Sequence, residues 1–138
     1  VTPAAILAAA LAVAPADTDA ALRQVVADYV GLYRKDTLDR WRALFHPGFT
    51  AAHVGDDGGV VVRTLDQFFA AQKRYLDTGR AVREELANVN VDRRGSVAGV
   101  TADFILTDEG EVSRGRLALV LMLDGGAWRI QSLAFAYQ

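Results

Sequence analysis

Cysteine is absent from this 138-residue chain. That excludes disulfides, thiolate catalysis and cysteine-bound zinc, and by itself leaves the compartment open. A basic excess is missing too. Fifteen Lys and Arg stand against 17 Asp and Glu, for a formal net charge of −2. The densest basic pair, Arg93-Arg94, adjoins Asp92. Binding nucleic acid through its phosphates needs a concentrated basic surface, so no nucleic-acid partner is expected. Long apolar runs are also lacking. The longest, Ala4–Ala14, has eleven residues, whereas a bilayer-spanning helix takes about 20. No stable membrane span is expected.

What remains is an ordinary globular balance, 51% hydrophobic and 23% charged, in a length that suits one domain with one sizeable core. The N-terminal stretch reads differently from the rest. Its apolar run leads into Ala14-Pro15-Ala16, the small-residue pattern of a secretory cleavage site, although no basic residue precedes it. Residues 1–17 are therefore expected to be a truncated signal segment or an Ala-rich tail, and residues 18–138 the domain. The first option places the protein in the periplasm or outside the cell, the second in the cytoplasm.

Asp17, Thr18 and Asp19 offer helix caps, and Leu22, Val25, Val26, Tyr29, Val30 and Tyr33 then recur at helical spacing. Asp36 can cap a short second helix carrying Leu38, Trp41, Leu44 and Phe45, stopped by Pro47-Gly48. "FTAAHV" alternates as a strand, "GDDGG" turns, and "VVVR" returns. Thr64 and Gln67 have capping-box spacing for a third helix with Leu65, Phe68, Phe69, Gln72 and Tyr75. Four strands joined by polar turns complete the chain. Helices grouped ahead of a mostly antiparallel sheet predict an α+β fold, with a curved six-stranded sheet against three helices. Leu117–Leu123 is apolar on both alternating faces, so both faces need cover. Helices cover one, and a second copy in a homodimer is the economical cover for the other.

This order, with "WRALFHPGFTAAHVG" after the first amphipathic helix and "GGAWRIQSLAFAY" at the end, resembles the nuclear transport factor 2-like superfamily, including its SnoaL-like and ketosteroid-isomerase-like members. The resemblance spans about residues 18–138. It implies a cystatin-like cone, a sheet wrapped on a long helix around a mostly apolar pocket, commonly dimeric through the outer sheet face. Laid without gaps on the ketosteroid-isomerase-like pattern, Tyr29 matches the tyrosine that donates to a developing oxyanion. His53 falls where that pattern has a carboxylate base. The second oxyanion acid would fall near Leu119, and Leu117–Leu123 has none, so steroid isomerisation is not expected.

The candidate chemistry centres on His53, which can take and return a proton near neutral pH, with Tyr29 as a hydrogen-bond donor. The bland alternative is a core histidine bonded to a carbonyl or to Tyr29. A functional His53 is expected beside Tyr29 or sharing with it a void of the order of 300 Å³. Asp103 would orient His53 or act as an acid if its face lines the pocket, and is merely solvated on the outer face. Tyr33, Trp41, Phe49, Phe69 and Tyr137 are the ring-bearing candidates for ligand contact, though aromatics at such spacings usually pack the core. Arg116 would grip an anionic ligand at the cone's mouth, or pair with Glu85 or Asp103. His46, ahead of Pro47 at a helix end, is expected to favour the helix dipole. With no third ligand at recognisable spacing, the two histidines make no metal site. The expected function is cofactor-independent isomerisation, dehydration or cyclisation of a small apolar molecule. The alternative is a non-catalytic ligand-binding or dimerisation module with the same cavity.

Overall fold

The structure, a computed structural model, describes residues 17–138. The expectation of a signal segment or tail concerns residues outside that range. The first helix, α1 (Asp19–Gly31), starts where the Thr18 hydroxyl accepts from the Ala21 amide at 3.1 Å. Its buried residues Leu22, Val26 and Tyr29 lie four and three apart, one face of a helix. A 3₁₀ turn (Lys35–Thr37) leads to the short α2 (Leu38–Arg42). There the buried Trp41 donates from Nε1 to the Tyr29 carbonyl at 2.8 Å, anchoring α2 on α1.

This second helix is shorter than the sequence predicts. Leu44 and Phe45 lie outside it, and strand β1 (Phe45–Val54) already begins at Phe45. The proline accounts for the difference: a residue before Pro is driven out of the helical region, so His46 is extended rather than helical. The Leu44 carbonyl instead accepts from the Ile130 amide at 2.9 Å. Pro47 itself falls in the irregular pairing between Phe45 and Thr50, where no ladder bond is asked of it.

Strand β2 (Val60–Thr64) returns beside β1 and runs directly into α3 (Leu65–Asp77). The capping box forms as predicted: the Gln67 amide donates to Thr64 Oγ1 at 3.3 Å, and the Thr64 amide to Gln67 Oε1 at 3.0 Å. Strands β3 (Val82–Arg94), β4 (Val97–Asp108), β5 (Glu111–Asp124) and β6 (Ala127–Tyr137) form the expected meander. The last turn has two glycines, Gly125 at φ 58° and Gly126 at φ 84°, a left-handed pair suited to a two-residue hairpin.

The sheet order is β2-β1-β6-β5-β4-β3, antiparallel throughout except for the parallel pair β1–β6. Its inner face presents Val100, Ala102 and Phe104 from β4, Leu117, Leu119 and Leu121 from β5, and Ile130 and Leu133 from β6 to the helices. A register shift in the β5–β6 pairing lets Ile130 and Leu133, three apart, share this face. The outer face is apolar as well, with Val120 38% and Met122 41% exposed. The predicted α+β cone is the fold observed.

Candidate functional site

Between the helices and the inner sheet face lies a cavity of about 80 Å³. Helix α1 and the turn after it contribute Tyr29 and Tyr33, α2 contributes Trp41, and α3 contributes Phe68 and Gln72. From the sheet come Glu84 on β3, Phe104 and Leu106 on β4, Leu117 on β5, and Leu133, Phe135 and Tyr137 on β6. The volume is well below the 300 Å³ expected, because aromatic rings occupy the interior. Trp41 alone lies within 4.7 Å of Phe45, 5.2 Å of Tyr33 and 5.7 Å of Phe68, centroid to centroid.

Glu84 is the charged group of this lining, and the sequence reading passed over it. Strand alternation places it between Val82 and Leu86 on the inward face, opposite Leu106 across β4. No hydrogen bond or ion pair engages its carboxylate among the described residues. Burial alone, with no cation near, pushes its pKa up to about 7. Burial also raises the Tyr29 and Tyr137 hydroxyls, and Glu84 adds to both effects. The Tyr29 hydroxyl has no hydrogen-bond partner among the described residues. Tyr33 differs: its hydroxyl donates to Gln72 Oε1, which leaves the Gln72 amide nitrogen free to donate into the cavity. Just beyond, Tyr75 donates to Asp108 at 2.5 Å and Arg80 to the same carboxylate at 2.7 Å. Those two partners, Tyr75 first, hold Asp108 below the usual carboxylate range.

Of the residues singled out from sequence, Tyr29, Tyr33, Trp41 and Tyr137 line the cavity. His53 does not. It continues the Phe49–Ala51 face of β1 but pairs beside Phe135, and it is the Phe135 ring that reaches the cavity. The His53 ring stacks on Phe135 at 5.2 Å, 12° from parallel, and makes no side-chain hydrogen bond among the described residues. The expected meeting of His53 and Tyr29 on one void is therefore not formed. Phe49 is core, 1% exposed, between Phe45 and Phe68. Phe69 carries the Arg42 guanidinium 4.7 Å from its ring centre.

Asp103 and Arg116 are on the outer face and bind each other at 2.8 Å, with Asn88 donating to Asp103 at 2.6 Å. Asn88 and Arg116 hold the Asp103 carboxyl down. Asp103 thus neither orients His53 nor faces the cavity, and Arg116 grips Asp103 rather than a ligand at the mouth. His46, in β1 and not at a helix end, accepts from the Gly48 amide through Nδ1 at 2.9 Å. No group of three or more potential metal ligands is assembled among the described residues. None of the described helices is long and apolar enough to cross a membrane.

Glu84 could have been found from the period-two pattern Val82–Glu84–Leu86, which puts a carboxylate on the apolar face of its strand. Gln72 carries the same signal on α3, four residues from Phe68 and three from Tyr75.

The profile of the SnoaL-like domain matches residues 22–135. No curated protein matches the chain. Among solved structures, a nuclear transport factor 2-like protein of unknown function from Silicibacter pomeroyi is 22% identical, with TM-score 0.64 over 86% of this chain and 94% of that one. A nuclear transport factor 2-like protein from Cytophaga hutchinsonii is 14% identical, with TM-score 0.69 over 86% and 96%. A candidate dehydratase of that family from Streptomyces avermitilis is 12% identical, with TM-score 0.70 over 85% and 93%. At these identities the structural likeness speaks for the fold. With the cone on the page and the profile spanning most of it, the chain belongs to the SnoaL-like domain family, in the fold of the nuclear transport factor 2-like proteins.

Proposed function

We propose that the protein binds a small, largely apolar molecule in the cone, holding it with rings and reading one polar end with Tyr29, Gln72 and Glu84. The observation that supports this reading is the convergence of an unpartnered carboxyl, an unpartnered hydroxyl and a free amide nitrogen on one ring-lined cavity. Polar groups that face an apolar cavity with no protein partner are the few convergent groups by which such a cavity fixes a ligand. Ligand-observed NMR with a mixed set of small fragments tests it. Fragments should show saturation transfer from the wild type and lose it in Leu133→Trp, which fills the cavity. Equal transfer from both proteins would contradict the proposal.

A second reading, cofactor-independent lyase or isomerase chemistry, is favoured by one feature. A carboxyl with pKa about 7 is poised to accept and return a proton at neutral pH, and Tyr29 is placed to donate to oxygen charge developing on the substrate. Glu84 then takes the role that the family resemblance implied for His53. Deuterium incorporation from D₂O into small ketones would be lost in Glu84→Gln and retained in His53→Ala. Loss in His53→Ala alone would return the role to the histidine.

The outer sheet face supports pairing with a second copy. Val54, Val60 and Val62 adjoin Ala118, Ala134 and Ala136 in a shallow apolar trough. Contiguous exposed apolar side chains of this kind mark interaction surfaces.

A further inference from the structure

The cavity has a charge imbalance that an apolar ligand does not answer. One carboxylate enters it, and no lysine or arginine lines it. Charges partly withdrawn from water are commonly paired, yet half-buried Glu84 has no counter-charge: desolvation is the sole cause of its shift. Around it stand the rings of Tyr29, Tyr33, Trp41, Phe104 and Tyr137. Ring faces carry negative electrostatic potential, and several of them around one point attract an organic cation. We propose that the cavity is an aromatic cage for a small organic ammonium group, a methylated amine, with Glu84 as its counter-ion.

This rests on the reading of the cavity as a small-molecule site and names the class of its ligand. The size agrees. The cavity's 80 Å³ is about half of the roughly 150 Å³ that holds a benzene ring, so it takes a headgroup of about three heavy atoms, such as a dimethylammonium. The remainder of the ligand leaves past Tyr137, which lines the cavity and is 54% exposed. An ammonium group satisfies both features of the lining at once. Its charge pairs with the carboxylate, and its methyl groups lie on rings. A neutral molecule of the same shape answers only the rings.

A pH dependence follows. The titratable groups facing Glu84 are Tyr29 from α1, Tyr33 from the turn after it, and Tyr137 from β6. The linings from α3, β4 and β5 (Phe68 and Gln72, Phe104 and Leu106, Leu117) do not titrate. All three tyrosines are raised from their ordinary value and stay neutral between pH 5.5 and 8. Glu84 alone changes charge there, so the cation binds the ionised form and affinity falls as pH falls through about 7.

The test uses dimethylammonium chloride and, as a neutral molecule of similar size, ethanol, each titrated into the whole protein and followed by amide NMR shifts. The proposal expects dimethylammonium to bind more tightly than ethanol at pH 8, and to weaken roughly tenfold or more at pH 5.5. It expects Glu84→Gln to bind it as weakly at pH 8 as the wild type does at pH 5.5. The acidified wild type is a neutral-Glu84 control free of any folding defect in the variant. If ethanol binds equally well, or if dimethylammonium binding ignores pH and Glu84→Gln, the cage proposal is overturned and the small-molecule cavity stands. If neither probe perturbs the lining, both fall.

Discussion

A carboxyl that burial pushes up to about 7 carries a stability consequence of definite sign. Its unfolded value is near 4.5, so between there and 7 the native state holds more protons than the unfolded one. Stability contributed by protonated Glu84 is then fully present below about 4.5 and is lost as pH rises through 7. Removing the charge should relieve the penalty. Glu84→Gln is expected to stabilise the empty protein at pH 8 by up to about 3 kcal/mol, and by little at pH 4.5. Urea denaturation of both proteins at the two pH values checks this, and a variant less stable at pH 8 would count against it. His53 shows the limit of reading residues from sequence. Its face on β1 was legible from alternation, but whether it or the neighbouring Phe135 reaches the cavity depends on the parallel pairing of β1 with β6, a contact between strands some 80 residues apart.

Local signals were strongest where an element carries its own cap or turn. The Thr64–Gln67 box appears where the sequence placed it, and Gly125-Gly126 forms one of the turns expected between the last strands. The end of α2 did not, because Phe45 suits a buried helix face and a buried strand start equally well. Only the restriction imposed by Pro47 on its predecessor separates the two. One close approach between elements is built into β5. A Cβ at Gly115 would sit 2.3 Å from both the Ala136 carbonyl oxygen and the Phe104 ring. The first is backbone and cannot swing away. Gly115→Ala should therefore cost about 2 kcal/mol or more and displace Phe104 from the cavity wall. A lowered urea midpoint together with shifted Phe104 ring resonances is the expected result. An unchanged midpoint would mean that β5 and β6 separate more easily than their pairing implies.

At the scale of the whole molecule, the α+β cone was readable because helices, turns and a strand apolar on both faces all agreed on it. The contents of the cone were not. A cavity wall is assembled from α1, α2, α3 and four strands, and no local pattern reports which side chains meet. The outer face carries its own expectation. The protein should be a dimer by light scattering at micromolar concentration, and Ala134→Arg, which puts a charge in the middle of the apolar trough, should make it monomeric without loss of fold. A wild-type monomer would show that the trough stays open to water.

The central claim is that the site is organised around Glu84, half-buried in the cone without a counter-charge. A titration of the Glu84 side-chain carboxyl by ¹³C NMR, assigned with Glu84→Gln, tests it most directly. The account predicts an apparent pKa of about 7 in the empty protein. A value near 4.5, the ordinary one for an exposed glutamate, would contradict it.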